Sequence, residues 1–281
     1  MPSLCYYKRT TLRFIELQEV FMIKILMVGD IVGNTGRMVV KRLLPKLYKE
    51  HNLDMVIANG ENAAGGNGIT QEITEELFGQ NIHVITMGNH VWDKKEIINF
   101  IPFQPYLLRP ANYPPGTPGK GYAVYKLKNN VNVGVINISG VVFLPPLTSP
   151  FLVIDKLINE LKKECSIIIV DFHAEATSEK VAMGWYLDGK ITALLGTHTH
   201  VQTADERILP GGTAYITDLG MTGPRDSVLG VKKDLAINKF LTQMPVKFET
   251  ADGAGQLNGV ILIINPDTAE VVSITRVQEF I

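Results

Sequence analysis

The chain has only two cysteines among its 281 residues, Cys5 and Cys165. They lie far apart and form no C-x-x-C pair, so the sequence predicts neither a disulfide framework nor a zinc site built from thiolates. A reducing cytoplasm is the compartment that fits this cysteine usage.

An excess of charge of either sign is also missing. The 27 lysines and arginines nearly balance the 28 aspartates and glutamates, which leaves a formal net charge of −1. Without an overall basic field the protein is not expected to bind long nucleic acids, and a small substrate is the better expectation.

Long apolar runs are absent as well. No uninterrupted run approaches the roughly 18 to 20 apolar residues that span a membrane, so no membrane partner is expected. The first 21 residues also lack the apolar core and the small-residue cleavage site of a secretory signal. We interpret residues 1–21 as an N-terminal extension of unknown role and residues 22–281 as a single domain, because the first clear strand follows Met22 directly.

Two common nucleotide-binding signatures are not present either. The glycines of GDIVGNTG, at positions 29, 33 and 36, do not have the G-x-G-x-x-G spacing, and the chain contains no Walker sequence. The sequence therefore argues against dinucleotide binding and against a P-loop nucleotide-binding site.

What the chain does contain is an alternation of apolar runs and amphipathic segments. Nearly continuous apolar runs predict strands covered on both faces at IKILMVGD, DMVIANGE, HVITMGNH, VGVINIS, SIIIVDFHAE and ITALLGTHTH. Amphipathic periodicity predicts helices at 35–50, 70–80, 151–163 and 177–188. The last third predicts a more antiparallel sheet, with strands at AYITD, VKFET, GVILIINP and VVSITRVQE. This alternation predicts a layered α/β fold, and the proline-rich 110–118 is predicted to be a surface loop.

Polar side chains follow directly after five of the predicted strands. They are Asp30, Glu61 with Asn62, Asn89 with His90, His173, and His198 with His200. Each alone has a structural explanation as a helix cap, a turn residue or a packed histidine. Because ligands of open α/β sheets bind at the carboxyl ends of the strands, we expect these side chains to converge. With His90 set aside, these are two carboxylates, two amide oxygens and three imidazoles, which suit two first-row divalent ions.

A glycine stands just before the polar residues at four of these strand ends, at positions 29, 60, 88 and 196. A missing side chain lets the backbone turn tightly and come close to an ion or a phosphate. The repeated glycines therefore strengthen the prediction of a metal site.

The series GD, GEN, GNH, a single histidine after a strand, and G-x-H-x-H resembles the calcineurin-like metallophosphoesterases. Among these, the stretches GDIVGNTGR, NGENAAGGNGIT, MGNHVWD, DFHAEATSEK and GTHTHVQT are most similar to the bacterial YmdB-like branch. This branch is similar to phosphodiesterases that open 2',3'-cyclic nucleotides. The resemblance implies an α/β four-layer sandwich in which two β-sheets are flanked by helices.

Two positions depart from the wider superfamily. The usual D-x-H is replaced by Asp30-Ile31-Val32, so one imidazole ligand is missing, and the second motif has Glu61 and Asn62 in place of its bridging aspartate. The YmdB-like branch shares both changes, which favours it over a general phosphatase.

The resemblance implies two divalent metal ions per chain, iron or manganese, with zinc as an alternative. It implies that Glu61 bridges the ions, that one shell is completed by Asp30, Asn62 and His200, and that the other is completed by Asn89, His173 and His198. The implied reaction is attack of a metal-bridging hydroxide on phosphorus, with His90 as proton donor to the leaving oxygen.

A small phosphoester or cyclic nucleotide is the expected substrate. The sequence does not decide between a monomer and a homo-oligomer. Two alternatives to the cyclic-nucleotide phosphodiesterase are a general phosphomonoesterase and a regulatory protein that keeps the metal site. His90 beside Asn89 argues against the regulator, because a structural site needs no proton donor. The sequence assigns no role to Arg37, Arg109 or Arg225.

Overall fold

A computed structural model describes residues 21–281. Residues 1–20, which form nearly all of the predicted N-terminal extension, lie outside the described residues.

The described chain alternates strands and helices through its first two thirds and is richer in strands at its end. In chain order the elements are β1 (Ile23–Val28), β2 (Asp30–Ile31), α1 (Gly33–His51), β3 (Met55–Asn59), α2 (Gln71–Gly79), β4 (Val84–Thr86), α3 (Ile97–Phe100), β5 (Leu107–Leu108), β6 (Tyr122–Lys126), β7 (Asn132–Ser139), α4 (Pro150–Leu161), β8 (Ile167–His173), α5 (Thr177–Leu187), β9 (Ala193–Thr197), β10 (Arg207–Ile208), β11 (Ala214–Ile216), β12 (Met221–Pro224), α6 (Lys233–Thr242), β13 (Gly255–Ile264) and β14 (Val271–Phe280).

These strands form two sheets. The first has the order β2-β12-β13-β1-β3-β4-β5, with β14 also paired to β13, and the second has the order β10-β11-β9-β8-β7-β6. Strands β1, β3, β4 and β5 pair in parallel, as do β7, β8, β9 and β11. Parallel pairing brings the carboxyl ends of these strands to one edge of each sheet.

The two sheets pack face to face, and helices cover their outer faces. Residues such as Met27 and Ile57 of the first sheet and Ile169 of the second form the apolar layer between the sheets. Helices α1 and α2 pack on the outer face of the first sheet, and α4 and α5 pack on the outer face of the second. The predicted four-layer α/β sandwich is thereby confirmed.

The predicted helices at 35–50, 70–80, 151–163 and 177–188 correspond to α1, α2, α4 and α5, with ends that differ by at most two residues. The predicted strand at VKFET is wrong, because of its five residues only Thr250 makes a bridge, an isolated one with Val231. Helix α6 was not predicted, and its apolar residues Ile237, Phe240 and Leu241 are exposed.

The antiparallel strands of the last third extend the first sheet. Strand β13 runs antiparallel to β1 over Ile23–Val28 and also pairs with β14. Residues 110–118 form a loop, as predicted. Within residues 21–281, no helix is long and apolar enough to cross a membrane.

Candidate metal centre

The polar residues predicted from the strand ends meet at one edge of the layer between the sheets. Asp30, Glu61, Asn62 and His173 are buried there, with exposed fractions of 0 to 3%. Direct contacts join Glu61 to Asn62 and His173, and they extend to the partly buried Asn89, His198 and His200. Asp30 joins the group through the backbone N–H of His198. The predicted convergence therefore occurs, although the sequence separates Asp30 from His200 by most of the chain.

The tightest group surrounds Nε2 of His173. This nitrogen lies 3.2 Å from Oε1 of Glu61, 3.0 Å from Oδ1 of Asn89 and 3.0 Å from Nδ1 of His198. Ligand atoms about 2.1 Å from one ion and at right angles to each other are about 3.0 Å apart. The spacing is thus that of adjacent ligands of a single cation.

A second group of side chains is joined to Glu61 through Asn62. The Asn62 amide nitrogen is 3.2 Å from Oε1 of Glu61 and 3.1 Å from Nε2 of His200. In this orientation Asn62 directs its nitrogen toward its neighbours, so ligation through oxygen requires a half turn of the amide. Asp30 accepts a hydrogen bond from the backbone N–H of His198 through Oδ2, at 3.1 Å.

The chemistry of the donors fits a divalent cation. Oδ1 of Asp30 is buried and has no hydrogen-bond partner among residues 21–281, which is costly for a carboxylate oxygen unless a cation satisfies it. Metal-binding histidines usually fix their second ring nitrogen on an oxygen. All three imidazoles have such a contact: His173 with Oγ1 of Thr197 (2.9 Å), His198 with Oε2 of Glu175 (2.9 Å) and His200 with the carbonyl of Leu229 (3.0 Å).

Burial and mutual charge shift the protonation of these groups. Burial raises the pKa of Asp30 to about 6, against the opposing effect of His200 and His173. Burial alone would raise the pKa of Glu61, but His173 and His90 lower it to about 2. Burial alone would lower the pKa of His173, but Glu61 raises it to about 9.

The backbone of the H-x-H segment is strained. His198 and His200 have φ angles of 102° and 66°, in the left-handed region where a side chain costs on the order of 1–3 kcal/mol. A buried ion pair holds this segment in place. Lys180 donates to the carbonyl of Thr197 at 2.7 Å and to Asp218 at 2.5 Å, and Asp218 also accepts from the backbone N–H of Thr199.

His90 lies beside the buried group and is more accessible than the histidines within it. Its side chain is 38% exposed, and its Nδ1 is 2.9 Å from Oδ2 of Asp93. Asn67 donates to the same oxygen at 2.8 Å. Asp93 therefore orients the His90 ring while the opposite nitrogen, Nε2, is left for a ligand.

Only one of the four predicted glycines borders the group of ligand atoms. A Cβ at Gly88 would lie 2.2 Å from Oε2 of Glu61 and 2.3 Å from Nε2 of His173. At the other three positions a Cβ would instead meet the Gly220 carbonyl (Gly29), Ile85 (Gly60) or the Thr217 carbonyl (Gly196). Those glycines allow close packing against neighbouring protein segments.

Sequence reasoning missed the acidic side chain that lies behind His173. Asp171 is fully buried and accepts hydrogen bonds from Oγ1 of Thr197 (2.7 Å), Nδ2 of Asn59 (3.1 Å) and Oγ1 of Thr86. Burial raises its pKa, and His173 and the two hydroxyls oppose this effect. Its position two residues before His173, on the same face of β8, was the available signal.

The structure assigns roles to two of the three arginines that the sequence left open. Arg109 is buried and donates to three backbone carbonyls of residues 110–118. These hydrogen bonds stabilise the conformation of that loop. Arg37 donates to the carbonyl of Ala63 at 2.6 Å and pairs with Glu76, which holds the loop after Asn62. Arg225 is at the surface and pairs with Asp226.

Comparison with known proteins gives matches over nearly the whole described chain. Residues 26–277 match the family described as YmdB-like protein. A 2',3'-cyclic-nucleotide 2'-phosphodiesterase of Bacillus subtilis is 53% identical over 254 residues, which cover 90% of this chain and 96% of that protein. A Mycoplasma genitalium protein, named only provisionally as a phosphatase/phosphodiesterase, is 39% identical, with 91% of this chain and 92% of that protein covered.

Solved structures show the same fold. The crystal structure of a phosphatase from Mycoplasma pneumoniae has a TM-score of 0.87 at 37% identity and covers 93% of this chain and 94% of that one. A hypothetical protein from Thermus thermophilus has a TM-score of 0.86 at 37% identity, with 92% and 99% covered. The chain therefore belongs to the YmdB-like family and is a phosphoric ester hydrolase.

Proposed function

We propose that the protein is a dinuclear metal-dependent phosphodiesterase that acts on 2',3'-cyclic nucleotides. The observation that carries this proposal is the convergence of Glu61, Asn89, His173 and His198 at ligand spacing. The buried Oδ1 of Asp30, which has no hydrogen-bond partner in the described part of the chain, lies beside them. The substrate is supported by the Bacillus subtilis relative, which is named for hydrolysis of 2',3'-cyclic nucleotides.

Glu61 would be the bridging ligand in this proposal because its Oε1 contacts a member of each group, His173 and Asn62. Asp30, Asn62 and His200 complete one site, and Asn89, His173 and His198 complete the other. The several oxygen donors favour iron or manganese, while zinc remains able to compete when it is abundant. When bound, two such ions supply an activated water and neutralise charge on the phosphoryl oxygens.

His90 is the proton donor in the proposed reaction. Opening the cyclic phosphate breaks one P–O bond, and the released ribose oxygen takes up a proton. Asp93 holds Nδ1 of His90 at 2.9 Å, so the Nε2 atom of this partly exposed ring is the one available to the substrate. A regulatory protein that only keeps the metals would have no use for this oriented His–Asp pair.

The test is a rate comparison on metal-replete protein with 2',3'-cyclic AMP, bis-p-nitrophenyl phosphate, p-nitrophenyl phosphate and 3'-AMP. We expect kcat/KM to be higher for both diesters than for both monoesters. A ranking with the monoesters clearly above both diesters would establish the phosphomonoesterase alternative.

A matched pair of variants connects the activity to the site. His198→Ala should remove at least one ion together with the activity. His51→Ala changes a histidine at the end of α1 and should leave both unchanged. Equal activity in the two variants would show that the reaction does not depend on His198 as a metal ligand.

A further inference from the structure

The hydroxyl of Thr197 lies between a candidate metal ligand and a buried carboxylate. Oγ1 of Thr197 is 2.9 Å from Nδ1 of His173 and 2.7 Å from Oδ1 of Asp171. All three side chains are fully buried. The contact follows from the sheet register, since His173 and Thr197 are paired neighbours on β8 and β9.

The direction of the hydrogen bonds follows from the fixed donors around Asp171. Oδ1 of Asn59 accepts from the backbone N–H of Glu61 at 3.1 Å, so the Asn59 amide nitrogen must face Asp171. Thr86 donates to the same carboxylate oxygen. A carboxylate surrounded by donors acts as the acceptor. Thr197 therefore donates its proton to Asp171, and its oxygen accepts the N–H of His173 Nδ1.

This arrangement decides between two tautomers of His173. On the other side of the ring, Oε1 of Glu61 and Oδ1 of Asn89 lie 3.2 and 3.0 Å from Nε2, and both can accept a proton from it. These oxygens favour the tautomer that carries its proton on Nε2, and in that tautomer Nε2 cannot bind a metal. Thr197 offers the competing acceptor at Nδ1, and without it this buried nitrogen would lose its partner.

We propose that Thr197 is a positioning residue that keeps the proton of neutral His173 on Nδ1 and so leaves Nε2 free to bind a divalent cation. Asp171 acts through Thr197 by fixing the direction of its hydroxyl. This inference rests on the proposed function, because it requires that a cation binds at Nε2 of His173.

The experiment measures how tightly the metal is held by variants that keep or remove this hydroxyl. Full-length protein loaded with Mn²⁺ is titrated with a competing chelator of known affinity, and the ions retained per chain are determined. Thr197→Val and Thr197→Ala remove the hydroxyl, and Thr197→Ser keeps it. Thr86→Val is the matched control, because it removes a hydroxyl from the same carboxylate without touching His173.

We expect Thr197→Val and Thr197→Ala to lower Mn²⁺ affinity about 10- to 100-fold, the usual effect of losing the partner of a metal-binding histidine. Thr197→Ser and Thr86→Val should stay within about 3-fold of wild type on the same grounds. If the valine variant does not fold, the Ala and Ser variants still differ by a single hydroxyl. The melting temperature of the metal-free proteins reports any general loss of stability.

Three results would overturn the inference. The first is that Thr197→Ala binds Mn²⁺ as tightly as Thr197→Ser does. The second is that Thr86→Val loses as much Mn²⁺ affinity as Thr197→Ala. The third is a wild-type protein that holds no Mn²⁺ at all, and this result also removes the proposed function. The first two leave the diesterase proposal intact, so the failures are distinguishable.

Discussion

Gly88→Ala should disrupt the metal site through a single methyl group. The added Cβ would lie 2.2 Å from Oε2 of Glu61 and 2.3 Å from Nε2 of His173. Normal contacts between non-bonded atoms are about 3.2 Å or longer, so one or both ligand atoms must move by about 1 Å. Metal sites tolerate deviations of only about 0.2 Å in their bond lengths.

We expect Gly88→Ala to lose metal and activity while it remains folded. Overpacking at a buried position costs about 1–3 kcal/mol, which leaves a protein of this size folded. We expect at most one ion per chain, instead of two, and a fall in diesterase kcat of about 10²-fold or more, because misplaced catalytic groups cost rates of this order. Elemental analysis, thermal melting and the rate assay are made on the same preparations.

Gly79→Ala is the matched control for this variant. Gly79 ends α2, and a Cβ there would meet no atom of the described chain within 4 Å. The same chemical change should therefore keep both ions and full activity, with a gain in stability of about 0.4–1 kcal/mol. If Gly88→Ala also retains two ions and normal turnover, the arrangement of Glu61 and His173 as neighbouring ligands is refuted.

Three further predictions concern single parts of the account. His90→Ala should slow turnover about 10²-fold with nearly normal metal content, because a proton donor is lost; loss of metal would instead make His90 a ligand. Asn62→Ala should lower the occupancy of one ion and slow turnover, and Asn62→Asp should restore binding with an altered pH dependence; full occupancy of both ions across a chelator titration of Asn62→Ala would exclude Asn62 as a ligand. A chain starting at Met22 should melt and turn over like the full chain, and a large loss of either would contradict the assignment of residues 1–21 as a dispensable extension.

The sequence predicted those parts of the structure that depend on local pattern and on parallel topology. Apolar runs such as IKILMVGD located the buried strands, and their carboxyl ends located Glu61, His173 and His198 before any contact was known. This worked because parallel strands with helical connections have their carboxyl ends at one edge.

The remaining features depend on pairings that a single sequence does not contain. Thr197 reaches Asp171 and His173 only because β9 lies beside β8, and Lys180 reaches Asp218 only because α5 packs behind the H-x-H segment. VKFET has the composition of a strand but only an isolated bridge at its end, so its predicted pairing was wrong. Tertiary context decides such cases over local propensity.

The central claim is that two metal ions per chain are needed for diester hydrolysis. The most direct test is a metal titration in which the reaction rate is measured. Metal-free protein is titrated with Mn²⁺ while hydrolysis of 2',3'-cyclic AMP is measured at each step. The account predicts no turnover without metal and a rate that rises until two ions per chain are bound, then stays constant. Full turnover by metal-free protein, or a plateau reached at one ion per chain, would contradict it.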